Sequence, residues 1–151
     1  SPCKCTPLMI EKHLSVISGP IYDRMDIFIE IIKISENEIK NSLMESDKKE
    51  SMIVRDKIKS AWEIQFERCV KHNVRPLLNS RIPGEQIFEV FELDNKIVDF
   101  ASDAAGRLSL SVRSYHKMLR VARSIADFDG DRTLDIKHIA QAIQYRRKIN
   151  V

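Results

Sequence analysis

The stretch Val112–Ala126 constrains the fold of this chain more than any other. At 100° per residue, Val112, Tyr115, Met118, Leu119, Ala122, Ile125 and Ala126 fall in one arc, and Arg113, His116, Lys117, Arg120 and Arg123 fall in the opposite one. Such a period is that of a helix with one apolar face, and Ser111 stands where a hydroxyl would cap it. The rest of the 151 residues agrees: only 4 Gly and 5 Pro interrupt them. That composition favours helices over a many-stranded sheet.

Further helices follow from local signals. Thr6 and Pro7 form a start, a capping hydroxyl followed by Pro at the first helical position, for a helix to about Ile17, where Ser18-Gly19-Pro20 stops it. Helical spacing recurs from Ser51 to about His72 through Ile53, Ile58, Ala61, Ile64, Gln65 and Cys69. In it Trp62 reads as a core or inter-domain anchor and Cys69 as a small buried apolar residue. Residues 75–84 read as a loop with two prolines, after which Pro83 opens a short helix over Glu85–Phe91. Asp94 caps a helix near 95–105 that Gly106 ends, and Asp135 caps the last, to about Arg146.

One segment breaks the pattern. In residues 26–31 Ile27, Ile29 and Ile31 alternate with the opposite face, as in a strand buried on at least one side. It is the one convincing strand signal, and a lone strand leaves its backbone groups unpaired. With the abrupt start SPCKCTP, this reads as a piece of a larger fold. The sequence therefore divides into a helix–strand remnant of an α/β core (1–34), a polar linker (35–50) and a helical domain of four to five helices (51–151).

Several function classes are excluded or weakened. No apolar run approaches 18 residues, so nothing is expected to span a membrane, and no secretory signal is visible. Three cysteines do not make a disulfide framework, and a cytoplasmic setting is the simplest expectation. Cys3 and Cys5 are at most half of a tetrahedral zinc site, so no metal is expected on this chain alone. The stretch 127–138, DFDGDRTLDIKH, mimics a calcium loop through Asp127, Asp129 and Asp131. It then puts Arg132 where the loop needs Gly and His138 where it needs a bidentate Glu, and reads as a connector between helices. No GxxxxGK[ST] phosphate loop and no catalytic constellation is present, so the chain by itself should catalyse nothing.

Charge is uneven. Residues 107–151 hold ten Lys and Arg against four Asp and Glu, so the C-terminal third is the part suited to an anion. Two arginines stand in structured surroundings: Arg24 between a turn and the strand signal, and Arg113 in the first turn of the amphipathic helix. A fixed guanidinium can reach phosphate with its planar fork of donors. The row Arg113, Lys117, Arg120 and Arg123 taken alone reads as a solvated helix face.

The segments SGPIYDRMDIFIEI (18–31), LSVRSYHKMLRVARSIAD (110–127) and HIAQAIQYR (138–146) together resemble the magnesium-chelatase-like AAA+ ATPases, in particular their competence-related ComM branch. CKCTP, SMIVRDKIKSAWEIQFERC and Asn79 fit the same pattern. The resemblance implies the end of an ATPase core followed by the helical lid, in a protein that binds ATP and Mg2+ and assembles with its own upstream core into a homo-oligomeric ring, a hexamer. Arg113 then matches the lid arginine that senses the γ-phosphate in cis, and Arg24 the position that reaches a neighbour's nucleotide in trans. Lys117, Arg120 and Arg123 are either contacts to phosphate or nucleic acid or a solvated face. The function implied is ATP hydrolysis coupled to DNA processing. The alternatives are a related motor acting on a protein partner, and a non-enzymatic helical module that binds nucleic acid.

Overall fold

The computed structural model describes residues 5–14, 16, 19–31, 33, 48–75 and 77–146. Cys3 and nearly all of the expected linker lie outside them. The architecture is mainly α. Helices α1 (Pro7–Leu14) and α2 (Gly19–Arg24) come first, then the long α3 (Lys48–Lys71). After short 3-10 turns at Asn79–Arg81 and Gly84–Gln86 come α4 (Ile87–Val90), α5 (Asn95–Arg107), α6 (Val112–Asp129) and α7 (Ile136–Gln144). Among the described residues no helix is long and apolar enough to cross a membrane.

The caps explain where the helices begin and end. Asp94 accepts from the Ile97 amide at 2.8 Å to start α5, and Ser111 Oγ accepts from the Ser114 amide at 3.1 Å to start α6. α6 runs past the expected Ala126 to Asp129, because the residue that can stop it is Gly130. Gly130 sits at φ 80° and the Asp131 amide returns to the Ala126 carbonyl at 2.8 Å. Asp135 and His138 form a reciprocal capping box at α7, with imidazole Nδ1 accepting from the Asp135 amide at 3.0 Å.

Met118, Leu119 and Ala122 of α6 form the centre of the core, packed against Ile139 and Ala142 of α7, Ile97 and Ala101 of α5, and Ile82, Ile87, Val90 and Phe91. From α3 only the C-terminal half enters. Ala61, Gln65 and Cys69, four residues apart, are buried. The next row round, Val54, Ile58, Trp62, Phe66 and Val70, is exposed. Trp62 is 62 % exposed and is not a core residue: it lies one residue, a 100° turn, beyond the buried row.

Two other expectations change. Residues 26–31 form no strand. A strand needs a neighbour to receive its backbone groups, and the bond found here is from the Phe28 amide to the Tyr145 carbonyl at 2.8 Å. Ile27, Ile29 and Ile31 are exposed. The face of α6 expected to be solvated is so only in part: Arg113 is exposed and Arg120 half-buried, but Arg123 is 0 % exposed and Lys117 is buried.

Arg123 belongs to a buried polar network centred on Asp127. The Asp127 carboxylate accepts from Arg123 Nε at 3.0 Å, Asn79 Nδ2 at 2.7 Å and Arg68 Nη1 at 3.2 Å, and pairs closely with Arg68 Nη2. Asn79 in turn accepts from Arg68 Nη1 at 2.9 Å, donates to Ser124 Oγ at 3.2 Å, and gives its amide to Gln65 Oε1 at 3.1 Å. The remaining Arg123 donors go to the carbonyls of Asp131 and Arg132. Desolvation lowers the Arg123 pKa and the Asp127 carboxylate opposes that shift.

Removing one partner of a buried charge cluster leaves the others uncompensated. Asp127→Ala is therefore expected to cost about 3–5 kcal/mol in urea unfolding; a loss below 1 kcal/mol would mean that water reaches the two guanidinium groups. Gly130→Ala should cost about 1–2 kcal/mol through its left-handed backbone. Gly130→Asn should cost less, since Asn tolerates that conformation, and equal losses would contradict a backbone origin.

Candidate functional site

The site is built where α2 meets the start of α6. Asp23 Oδ1 accepts from Ser111 Oγ at 2.8 Å and from Ser114 Oγ. Ser111 thus caps α6 and fastens a residue 88 positions earlier. Lys117 Nζ, one turn on, donates to the Arg24 carbonyl and lies 2.8 Å from the Asp26 carboxylate. Arg146, just beyond α7, donates to the Met25 carbonyl and to Ser114 Oγ at 2.5 Å. The two sequence motifs, around Arg24 and around Arg113, are in contact.

The charges that were expected to act have separate fates. Arg24 and Arg113 are exposed. Lys117 is directed at Arg24 and Asp26, Arg120 donates through Nε and Nη2 to the Ile82 carbonyl at 3.2 and 2.8 Å, and Arg123 is enclosed in the Asp127 network. Arg123 thus offers no donor to phosphate or nucleic acid in this structure: the opposing carboxylate comes from its own helix and the second arginine from α3. Burial lowers the Arg120 and Arg146 pKa values, with Asp26 opposing the shift at Arg120 and Asp23, then Asp26, opposing it at Arg146.

Beside this junction runs a groove of ≈ 730 Å³. Asp26, Ile27 and Ile29 line one side, and Arg113, Lys117, Arg120, Val121 and Ile125 of α6 the other, with Gln141 of α7 and Tyr145 just beyond it. Arg113, exposed in the first turn of α6, can present its guanidinium to an anion. Its charge also helps to hold the Asp23 carboxyl below the usual range, after the hydroxyls of Ser114 and Ser111 and the charge of Arg146.

The connector 127–135 directs its carboxylates to protein groups. Asp127 faces inward, Asp131 pairs with Lys137 at 2.7 Å, and Asp135 caps α7. Ligand atoms of Asp129, Asp131 and His138 lie within 4.8 Å of one another. His138 Nδ1 is an acceptor in the capping box, so its ring hydrogen sits on Nε2, 3.1 Å from Asp131. The nitrogen that faces the carboxylates therefore has no lone pair for a metal ion. Cys5 is exposed and free.

Residues 48–146 match the family described as magnesium chelatase, subunit ChlI C-terminal, and residues 1–39 match that described as magnesium chelatase, subunit ChlI. The chain belongs to the magnesium chelatase subunit ChlI family. It is 33% identical over 149 residues to Competence protein ComM of Haemophilus influenzae, covering 98% of this chain and 28% of that protein. It is 28% identical over 143 residues to the uncharacterized protein YifB of Escherichia coli, covering 95% of this chain and 27% of the relative. The YifB of Salmonella typhimurium is 30% identical over 143 residues, with coverage of 95% and 27%. The chain thus spans about a quarter of the length of these curated relatives. Within this family frame Asp23, Asp26, Ser114 and Arg146 are the residues that sequence reasoning passed over. The pair Asp23 and Asp26 around Arg24 was the visible signal, but acceptors without a known donor mark no site.

A carboxyl held below its ordinary range contributes stability that is full above its unfolded value, about 3.9, and is lost as pH falls through the lowered folded value. The α2–α6 junction should therefore loosen in acid below about pH 4, and Asp23→Asn should flatten that part of a stability–pH profile. An unchanged profile would show that Asp23 titrates alike in the folded and unfolded chain.

Proposed function

We propose that this chain is the end of the core and the helical lid of a ring-forming AAA+ ATPase, and that it supplies arginines to ATP hydrolysis rather than the phosphate cradle. One observation carries this reading: the Arg24 turn and the Arg113 helix meet at one junction with both guanidinium groups exposed. Arg113 meets the nucleotide bound to its own subunit. Arg24 meets the nucleotide of the next subunit and stabilises charge that develops on the phosphoryl oxygens. ATP with Mg2+ would supply the scissile phosphoanhydride. The residues here fit only its outer edge, since the sequence holds no GxxxxGK[ST] loop to cradle the phosphates.

The substrate proposed for the motor is DNA, on the resemblance of LSVRSYHKMLRVARSIAD and QAIQYR to the competence branch. The alternative, a non-enzymatic nucleic-acid module, rests on the basic C-terminal third, where Arg107, Arg113, Arg132 and Lys137 are exposed while Lys117, Arg123 and Arg146 are buried and Arg120 is half-buried.

In the intact ATPase, Arg113→Ala should lower ATP turnover about 10²–10³-fold; wild-type turnover would sink its role. Arg24→Ala subunits mixed with wild-type ones should depress turnover more steeply than their fraction. A loss merely proportional to that fraction would show that Arg24 does not act across the subunit boundary.

A further inference from the structure

Four consecutive residues around Arg24 are each held from the lid, while the Arg24 side chain itself is exposed. The Asp23 carboxylate accepts from Ser111 and Ser114. The Arg24 carbonyl accepts from Lys117, the Met25 carbonyl accepts from Arg146, and the Asp26 carboxylate pairs with Lys117 at 2.8 Å. Arg146 closes the circuit through Ser114 Oγ at 2.5 Å.

The chemistry of this set is unusual for a simple helix contact. Taking an ammonium and a guanidinium out of water is costly unless good acceptors await them. Here the acceptors include two successive backbone carbonyls, which charge-assisted donors hold strongly. The held carbonyls orient the two peptide units that follow the Arg24 Cα, and the residue before it is held through the Asp23 carboxylate. The side chain that leaves from Arg24 then has a defined origin.

The spacing along α6 matters equally. Ser111, Arg113, Ser114 and Lys117 span less than two turns, about 9 Å of helix at 1.5 Å per residue. No loop intervenes between the cis arginine and Ser111, Ser114 and Lys117; Arg146 joins them from beyond α7.

We propose that Ser111, Ser114, Lys117 and Arg146 are positioning residues forming a clamp that makes the Arg24 turn move with the helix of Arg113. A shift of α6 then moves the Arg24 guanidinium with it. This inference rests on the trans role of Arg24 proposed above. Lys117 acts through Arg24 and not on phosphate.

The test uses the intact ATPase and mixed rings. Lys117→Met removes the donor to the Arg24 carbonyl. Displacing a reacting group by about 1 Å can cost about 10²-fold, so kcat should fall by about that factor while KM for ATP stays within twofold. Mixed with wild-type subunits, Lys117→Met should depress turnover more steeply than its fraction, as Arg24→Ala does, and Lys117→Arg should restore most of the loss. If Arg24→Ala depresses turnover steeply and folded Lys117→Met only in proportion, the clamp is wrong and the trans role stands. If Arg24→Ala itself acts only in proportion, both fall. A raised KM with unchanged kcat would make Lys117 a phosphate ligand and would also overturn the clamp. Should Lys117→Met fail a thermal-melt check of folding, Asp23→Ala decides by the same criteria from the other side of the contact.

Discussion

The buried carboxylate of Asp127 is the contact on which the helical domain depends. It takes donors from two arginines and one asparagine, which arrive from α3, α6 and the 3-10 turn at Asn79. Apolar packing of Met118, Leu119, Ile139 and Ala142 gathers α6 and α7 but says little about where α3 must lie, because hydrophobic contact is non-directional. The guanidinium forks supply direction. Arg68 can reach Asp127 and Asn79 together only with α3 at one height and rotation, and that rotation turns Trp62 and Phe66 outward.

The same network explains which parts of the fold were legible in the sequence. The starts of α5, α6 and α7 were readable because a cap is a local event: Asp94, Ser111 and Asp135 each bond an amide within three residues. Gly19 and Pro20, expected to stop a helix, instead open α2, and α3 starts at Lys48, inside the expected linker. The apolar arc of α6 was readable for most of its length, since Met118, Leu119, Ala122 and Ala126 are all buried, but Val112 at its first turn is exposed. The opposite arc was misjudged for a physical reason. A charged side chain is assigned to water unless a partner is known: the partners of Lys117 lie in the Arg24–Asp26 segment, and Arg123, although paired with Asp127 four residues on in the same helix, is enclosed with it by the carbonyls of the 131–132 turn and by Arg68 of α3. Pairing across 59 or 93 residues leaves no trace in a helical period.

The segment 26–31 failed in a related way. Its alternation of isoleucines is a real signal of a two-faced extended chain, but alternation alone makes no strand. Its Phe28 amide bonds to the Tyr145 carbonyl at the end of α7, not to a neighbouring strand. Of the candidate site, the two arginines were named from the resemblance. The junction that unites them was not, because it is made of serines, a carboxylate and backbone carbonyls that carry no pattern of their own.

The two polar systems divide α6 between them. Its first two turns, through Ser114 and Lys117, hold the Arg24 segment, and its last two, through Arg123 and Asp127, hold α3 and the Asn79 turn. Between them Met118, Leu119 and Ala122 fix the helix in the core. A helix tied by directed, desolvated bonds near both ends has little freedom to slide or roll, since a displacement at one end strains the bonds at the other. α6 thus works as a stiff bar from the groove beside Arg113 to the α3 side of the domain. The costly burial of Lys117, Arg123 and Arg146 is intelligible in these terms: apolar side chains would fill the same space, but they would not fix the orientation of what they touch.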